Sequence, residues 1–278
     1  GRGDDGRMKK ASKIYLFIIF FLMYAPILVM IFFSFNKGDS TGVFTGFSFK
    51  WYAELFRDRQ TIGSLYNTLI VAVLSAVIAT VLGTAAAVGI SYMHRWQKKA
   101  VSAVTNIPLM NPDIVTGVSL MLLFVFVGVL FKNTSTLGFV TVLIAHITFN
   151  LPYVIFSVLP MLKASDRYLS EAAQDLGCTP IKAFFKAVLP SVVPGIITGF
   201  IMSFTLSIDD FVISYFVSGP GFQTLPLRIY SMTKKRVRPD INALSTILFV
   251  VVLVLLILIN VRQNRNEKKL KTSSASGK

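Results

Sequence analysis

The groups in this chain with the most distinctive chemistry are three carboxylates that fall inside apolar stretches. Asp113 lies in one stretch, and the adjacent pair Asp209 and Asp210 lies in another. A charged side chain near the centre of a membrane helix costs roughly 2.5–3.5 kcal/mol, so such groups persist mainly where they pair, are hydrated or contact a solute. Because no Lys or Arg accompanies them within these stretches, the acids favour a cationic solute. The alternative is that they pair with a basic residue of a partner subunit or cap a broken helix.

Helical geometry predicts different roles for the two adjacent acids. Neighbouring residues on a helix point about 100° apart, so Asp209 and Asp210 do not aim at one point. We expect one to contact solute and the other to pair with a neighbouring helix or to face an outer vestibule. Aromatic rings near such a path supply cation–π contacts. The candidates are Tyr24, Trp51, Phe211 and Tyr215. For Trp51, the alternative is an ordinary position at the membrane interface.

The residue types argue against an enzyme. The sequence contains no phosphate-binding Gly-rich loop, no Cys/His spacing typical of a metal site and no nucleophile with a base. His146 has no carboxylate neighbour in sequence, and we interpret it as a packed, hydrogen-bonded residue. We therefore predict no catalytic residue, no metal and no cofactor on this chain, so any ATP and Mg would be bound by a partner.

Composition indicates an integral membrane protein. The 278 residues are 54% hydrophobic, with a mean hydropathy of +0.66, which is above the apolar content of average soluble domains. The net charge of +15 comes largely from short segments and tails that flank apolar runs, which argues against nucleic-acid binding. The single cysteine, Cys178, excludes an intrachain disulfide.

Six apolar stretches are long enough to cross a bilayer, which takes about 20 residues per helix. They are Ile14–Phe35, Thr68–Tyr92, Val101–Phe131, Leu137–Leu162, Val192–Val217 and Ile241–Val261. We predict an all-α membrane domain over 14–261, preceded by a leader and cytoplasmic tail (1–13) and followed by a basic cytoplasmic tail (262–278) that meets membrane lipid. The third stretch contains Asn, Pro and Asp residues between Asn106 and Asp113, which should face protein or a water-filled cavity.

Basic residues indicate the orientation of the chain. With the N-terminus inside, the inner segments hold 16 Lys and Arg once two arginines of the leader 1–7 are set aside, against 10 outside. This excess predicts that both termini are cytoplasmic. The outer segment 218–240 is an exception, with five basic residues.

The segment Ser165–Pro190 is mostly polar and lies between the fourth and fifth stretches. Its pattern predicts two short helices: one capped by Ser165 or Asp166 and ended by Gly177, and one that begins at Thr179-Pro180. The first helix has a narrow apolar stripe formed by Leu169, Ala172, Ala173 and Leu176. A short amphipathic helix of this kind suits a groove on another protein.

Glu171-Ala172-Ala173, Gly177 four residues later and Leu189-Pro190 resemble the EAA loop of ABC-importer permeases. The resemblance implies that these six residues belong to a coupling helix that docks on an ATP-hydrolysing subunit. The alternative is an amphipathic connector that only lies on the membrane surface.

A second resemblance covers roughly residues 14–261. The segments MNPDIV, AHITFNLPYV, SFTLSIDDFVISYFVSGPG, TLPLRIYSM and RPDINALSTI resemble the PotC-type permease subunits of spermidine/putrescine importers. The resemblance implies a type I ABC-importer permease fold in a bacterial inner membrane. It also implies a PotB-type permease partner, two PotA-type ATPase subunits and an external PotD-type polyamine-binding protein.

By the same resemblance, the polyamine path would include Ser207, Asp209, Asp210, Asp113 and Trp51. The outer segment 218–240 would become a docking surface for the binding protein, although a solvated charge run is the alternative. Rival functions are an ABC permease for another organic cation and, from other classes, a self-sufficient secondary transporter or channel and a membrane-embedded enzyme.

Overall fold

The computed structural model describes residues 2–39, 43–132, 137–165, 168–235, 239–254 and 256–257. Within these ranges the chain is helical, and its only β pairing is an isolated bridge between Asn36 and Phe47. The first six helices are α1 (Arg2–Ser34), α2 (Lys50–Arg57), α3 (Arg59–Tyr92), α4 (Arg95–Met110), α5 (Asp113–Leu130) and α6 (Phe139–Ala164). The others are α7 (Leu169–Asp175), α8 (Pro180–Ala183), α9 (Leu189–Asp209), α10 (Val212–Val217), α11 (Leu225–Lys235) and α12 (Pro239–Val254).

Five helices of the described chain are long and apolar enough to cross a membrane. They are Ser12–Ser34, Arg59–Tyr92, Asp113–Leu130, Phe139–Ala164 and the continuous helix Pro180–Asp209, and α12 is a shorter apolar helix. The predicted all-α polytopic fold is confirmed. The last part of the sixth predicted stretch, 258–261, lies outside the described residues, as do Asp166, Arg236, Arg238 and the tail 262–278.

The third predicted stretch is two helices rather than one. Helix α4 ends at Met110, and α5 begins at Asp113. Asn111 and Pro112 between them have extended backbones, with ψ of 139° and 137°. The cause is local, because proline donates no backbone hydrogen bond and disfavours helical geometry at the preceding residue. Asp113 therefore begins a helix instead of lying midway along one.

The observed helix differs from the fifth predicted stretch, Val192–Val217, at both ends. Its helix starts earlier, because α8 continues through a π-helical turn, Phe184–Val188, into α9. It also ends earlier, because Asp210 adopts an extended conformation (ψ 118°) after Asp209. The short helix α10 then begins at Val212. Asp209 and Asp210 consequently lie at a helix break, not within a continuous span.

Two predicted connecting segments contain helices of their own. Helix α2 lies between the first two spans, and α11 occupies much of the outer segment 218–240. Helix α3 begins at Arg59, nine residues before the predicted start of its span, and has 34 residues. At about 1.5 Å per residue it is roughly 50 Å long, so it extends beyond the ~30 Å hydrocarbon core of a bilayer.

The chain divides into two compact units, of which the first comprises Gly1–Ile62 and Ile229–Leu255. Buried Asn36 organises the connection after α1 in this unit. Its Nδ2 donates to the Val43 carbonyl at 2.7 Å, and its Oδ1 accepts the Thr45 amide at 2.8 Å. The Trp51 indole N–H donates to the Asn36 carbonyl at 2.7 Å, which anchors α2 on this connection.

The second unit comprises Gly63–Arg228 and Leu256–Lys278. Helix α6 packs along α9, and α3 packs against α6 through Gly83, which lies beside Val154. Glycines on both neighbours of α6 allow this close approach, as small residues do between membrane helices. The core between these helices includes Ala79, Val158 and Val192.

Among these glycines, Gly195 on α9 leaves the least space for a side chain, which supports a prediction. A Cβ at this position would lie 2.6 Å from the Ser157 carbonyl oxygen and 2.8 Å from Met161 Cγ. Gly195→Ala should therefore lower the stability of the folded chain by about 1–3 kcal/mol, since helices α6 and α9 must separate. Thermal unfolding of the purified protein in detergent measures the effect. The matched control is Gly89→Ala, where nothing lies within 4 Å of the added Cβ. Equal melting temperatures for the two variants would contradict the prediction.

Candidate functional site

The centre of the candidate site is the break between α9 and α10. Asp210 lies at this break and accepts two backbone hydrogen bonds from the first turn of α10. The Ile213 amide donates to Asp210 Oδ1 at 3.2 Å, and the Ser214 amide donates to Oδ2 at 2.8 Å. Amides at a helix start have no partner within the helix, so a carboxylate placed there stabilises the helix. Asp210 thus caps a broken helix, one of the alternatives that the sequence left open.

His146 on α6 lies directly against this carboxylate. Its Nε2 is 3.3 Å from Asp210 Oδ2 and 3.0 Å from Ser214 Oγ. The histidine side chain is 1% exposed and that of Asp210 is 9% exposed. The sequence predicted a packed, hydrogen-bonded histidine, and the structure adds a carboxylate neighbour 64 residues away in the chain. No local pattern indicates this pairing, because it arises from the packing of α6 beside the α9–α10 break.

Ser207, a predicted residue of the solute path, belongs to a neighbouring buried group. Its hydroxyl is 2.9 Å from Ser75 Oγ on α3 and accepts a hydrogen bond from Asn150 Nδ2 at 2.9 Å. These contacts join α3, α6 and α9 through polar side chains in the interior of the second unit. Both serines and Asn150 are buried, so the observed role of Ser207 is to link helices. Its contact with a solute stays a prediction.

Asp209 differs sharply from Asp210. Asp209 is the last residue of α9, its side chain is exposed, and it forms no ion pair within the described part of the chain. Asp113 is also exposed, at the first residue of α5. A Cβ on Gly117, one turn further along α5, would lie 3.4 Å from Ile213 Cα. The first turns of α5 therefore lie beside α10, and both exposed carboxylates belong to the second unit.

Trp51 and Tyr24 belong to the first unit. Trp51 is 1% exposed and packs in the interior of that unit, with the Lys50 ammonium 4.7 Å from its ring centroid. Tyr24 is exposed on α1. The structure gives Trp51 a clear packing role, and the solute contacts expected of both residues stay predictions.

The segment between α6 and α9 turns at Gly177, as the sequence predicts, and its second helix begins at Pro180. The predicted Ser165 cap is wrong, because Ser165 ends α6 and Tyr168 precedes α7. The second helix is not short either, since it is the start of the continuous helix Pro180–Asp209.

Gly177 has a left-handed backbone (φ +85°), for which glycine carries no side-chain penalty. Cys178 N–H donates to the Ala173 carbonyl at 3.1 Å, and Gly177 N–H donates to the Gln174 carbonyl at 2.8 Å. This pair of bonds is the Schellman arrangement. It ends α7 at a defined residue.

Helix α7 presents its motif residues to the outside of the chain. Glu171 and Ala172 are exposed, Ala173 is half-buried, and Leu176 is 87% exposed. The predicted role of these residues in contacting an ATPase subunit stays a prediction.

Leu189 and Pro190 connect this corner to the long helix α9. They directly follow the π-helical turn inside the continuous helix Pro180–Asp209, where Pro190 donates no backbone hydrogen bond to the preceding turn. Ser191 Oγ lies 2.9 Å from Ser165 Oγ at the end of α6, so the two ends of the segment are joined. The segment that carries α7 is therefore tied to α6 at one end and to α9 at the other.

The His146–Asp210 contact supports a second prediction. His146→Ala should destabilise the protein by about 1–3 kcal/mol, because the buried Asp210 carboxylate then loses one of its hydrogen-bond partners. The same substitution in an Asp210→Asn background should cost far less, because the shared interaction is already gone. Thermal unfolding of the four proteins in detergent completes this double-mutant cycle. Additive losses would show that the two side chains do not stabilise each other.

The fold and these sites define a polytopic α-helical membrane protein with acidic groups at helix ends and an exposed corner between two spans. The sequence profile of the family described as binding-protein-dependent transport system inner membrane component matches residues 79–272. The match covers more than half of the chain, and this protein belongs to that family.

Curated relatives cover most of the chain. It is 40% identical over 247 residues to the spermidine/putrescine transport system permease protein PotC of Escherichia coli K12, which spans 88% of this chain and 90% of that protein. It is 38% identical to PotC of Haemophilus influenzae, covering 85% of this chain and 90% of that protein. It is also 38% identical to the putrescine transport system permease protein PotI of E. coli K12, with 85% of each chain covered.

Solved structures support the fold. A bacterial ABC transporter involved in the import of alginate has a chain that superposes with a TM-score of 0.72 at 18% identity, covering 94% of this chain and 98% of that one. A chain of the MetNI methionine ABC transporter, in an inward-facing conformation, superposes with a TM-score of 0.60 at 19% identity, covering 80% of this chain and 98% of that one. The predicted type I importer permease fold is therefore confirmed.

Proposed function

We propose that this chain is the permease subunit of an ATP-driven importer that takes up polyamines. The observation that carries the proposal is the pair of exposed carboxylates in the second unit, Asp209 at the end of α9 and Asp113 at the start of α5. A polyamine carries several ammonium groups on an apolar stem, and each ammonium forms charge-assisted hydrogen bonds with a carboxylate. The 38–40% identity to spermidine and putrescine permeases supports the same cargo.

The proposed assembly contains four kinds of subunit. This chain pairs with a second, PotB-type permease, and two PotA-type ATPase subunits bind ATP and Mg. A PotD-type binding protein delivers the amine on the outer side. The family description, which names a binding-protein-dependent system of the inner membrane, supports this arrangement. The basic inner segments support cytoplasmic termini, so that α7 faces the ATPase subunits.

In the proposed cycle, closure of the ATPase subunits moves α7, and the rigid helix Pro180–Asp209 carries the motion to the break at Asp210. Alternating access by rigid-body motion of packed helices is a common transport scheme. Asp210, held by His146 and by the α10 amides, keeps the start of α10 fixed. Asp209 remains available to the amine.

Competition for uptake tests the choice of cargo. The chain is reconstituted in vesicles with the candidate partners, and uptake of labelled spermidine is measured against putrescine, choline and the neutral 1,4-butanediol. We expect putrescine to compete at least tenfold better than the diol of equal length, because only the diamine has charges for the carboxylates. Competition by choline instead of putrescine favours the second candidate, an importer of another organic cation. Equal competition by putrescine, choline and the diol contradicts both candidates.

A further inference from the structure

A separate cavity opens in the second unit where α3, α4 and α6 meet the segment that carries α7. Its volume is about 590 Å³. The polar residues that matter here are Arg95, Lys98, Lys163, Ser91, Ser165 and Ser170. We call this space the basic cavity. It is distinct from the α9–α10 break, since the two share no lining residue.

The charged side chains that line the basic cavity are all positive among the described residues. Arg95 and Lys98 lie in the first turn of α4, and Lys163 lies in the last turn of α6. Among the described residues that line the cavity there is no Asp or Glu, and none of the three cations forms an ion pair within the described part of the chain. Cations gathered around one space repel one another unless an anion lies between them. The cavity is therefore complementary to an anion.

The side chains favour a phosphate group in particular. An arginine guanidinium binds two phosphate oxygens with parallel N–H donors, and lysine adds a compact positive charge. Ser170 Oγ accepts a hydrogen bond from Gln174 Nε2 at 3.2 Å, which leaves the serine hydroxyl hydrogen for an anion. Arg, Lys and Ser together form a donor set with several possible contacts to phosphate oxygens.

Two exposed aromatic residues indicate the depth of the cavity in the membrane. Tyr92 lines the cavity and is 74% exposed, and Trp96 in the first turn of α4 is 80% exposed. Tyr and Trp collect at the level of lipid headgroups. The apolar helices α3 and α6 also end here, at Tyr92 and Ala164. The cavity thus lies where the phosphates of a lipid leaflet lie, and basic pockets between membrane helices bind anionic headgroups.

We propose that the basic cavity binds the phosphate of an anionic phospholipid. The bound headgroup contacts Arg95, Lys98 and Lys163 and reaches Ser170, the residue directly before Glu171. The lipid thereby ties the base of α7 to the ends of α3 and α6. This site is independent of the cargo and would exist even if the transported solute were not a polyamine.

Native mass spectrometry of the delipidated full chain, titrated with phosphatidylglycerol or phosphatidylcholine, tests the proposal. We expect the triple variant R95Q/K98Q/K163Q to lose at least tenfold in affinity for phosphatidylglycerol. The matched control is K99Q/K182Q/K186Q, which removes the same charge at residues that do not line the cavity and should change the affinity less than twofold. Phosphatidylcholine carries the same phosphate but no net charge, so we expect it to bind the unsubstituted protein more weakly than phosphatidylglycerol and to lose less affinity in the triple variant.

Three results would overturn the proposal. One is unchanged phosphatidylglycerol binding by R95Q/K98Q/K163Q. Another is an equal loss of affinity in the two triple variants, which would show that only the total charge of the protein matters. The third is displacement of the lipid by millimolar inorganic phosphate, which assigns the cavity to a free anion. If the triple variant does not insert into membranes, the single variant Lys98→Glu is used in its place. A loss of phosphatidylglycerol affinity below threefold in this variant would also overturn the proposal.

Discussion

Replacing Asp209 by asparagine should raise the KM for spermidine uptake by about 10- to 100-fold. The substitution keeps the size of the side chain and removes its charge at an exposed helix end. A hydrogen bond to a charged group contributes about 1.5–3 kcal/mol, which corresponds to this range. Initial uptake rates into vesicles, measured over a series of spermidine concentrations, separate the KM from the maximal rate.

Asp210→Asn is the matched control for this prediction. The amide oxygen still accepts a hydrogen bond from the start of α10, but the contact between the carboxylate and His146 is lost. We expect a lower yield of folded protein and a KM within about threefold of the original. An unchanged KM for Asp209→Asn, or a larger KM effect at Asp210 than at Asp209, would contradict the division of roles between the two acids.

Ala172→Arg should abolish coupled transport, with a loss of at least 100-fold in ATP-dependent uptake. Ala172 is exposed on α7, so the substitution leaves the packing of this chain intact. In the proposed assembly, the small side chain fits against the ATPase subunit, and a large charged group in a desolvated contact costs several kcal/mol. Uptake and transport-stimulated ATP hydrolysis are measured on the same vesicles.

The control is Ala100→Arg, the same substitution at an exposed position of α4. It should keep at least half of the uptake. Membrane insertion and pairing with the second permease should be normal for both variants. Full activity of Ala172→Arg would show that α7 is only a connector at the membrane surface.

Features that depend on local chemistry could be predicted from the sequence. The turn at Gly177 needs a residue without a side chain, and Thr179-Pro180 begins a helix because proline suits its first position. Apolar length likewise identifies most of the spanning helices. These signals lie within a few residues of the structure that they determine.

The helix breaks were predicted incompletely. The Pro and Asn residues before Asp113 indicate an interruption in the apolar stretch. The length of that stretch nevertheless predicts one span, where the structure has two helices, α4 and α5. The break at Asp210 has no proline or glycine to mark it. It depends on His146 and on the α10 amides, which packing brings to the carboxylate. Contacts between distant segments of this kind are not encoded by spacing.

The same reasoning explains the different outcomes for the two adjacent aspartates. The sequence indicated that they point in different directions but not which one is buried. That distinction depends on α6, whose histidine lies against only one of them. Trp51 is similar, because its indole is buried by the connection that Asn36 organises, a contact 15 residues away.

The most direct test of the proposed function is the nucleotide dependence of labelled spermidine uptake by vesicles that contain this chain and its candidate partners. We predict accumulation only when hydrolysable ATP is present on the side that α7 faces, with no uptake when ATP is replaced by a non-hydrolysable analogue. Spermidine uptake by vesicles that contain this chain alone, without any nucleotide, would contradict the claim that a partner drives transport through α7.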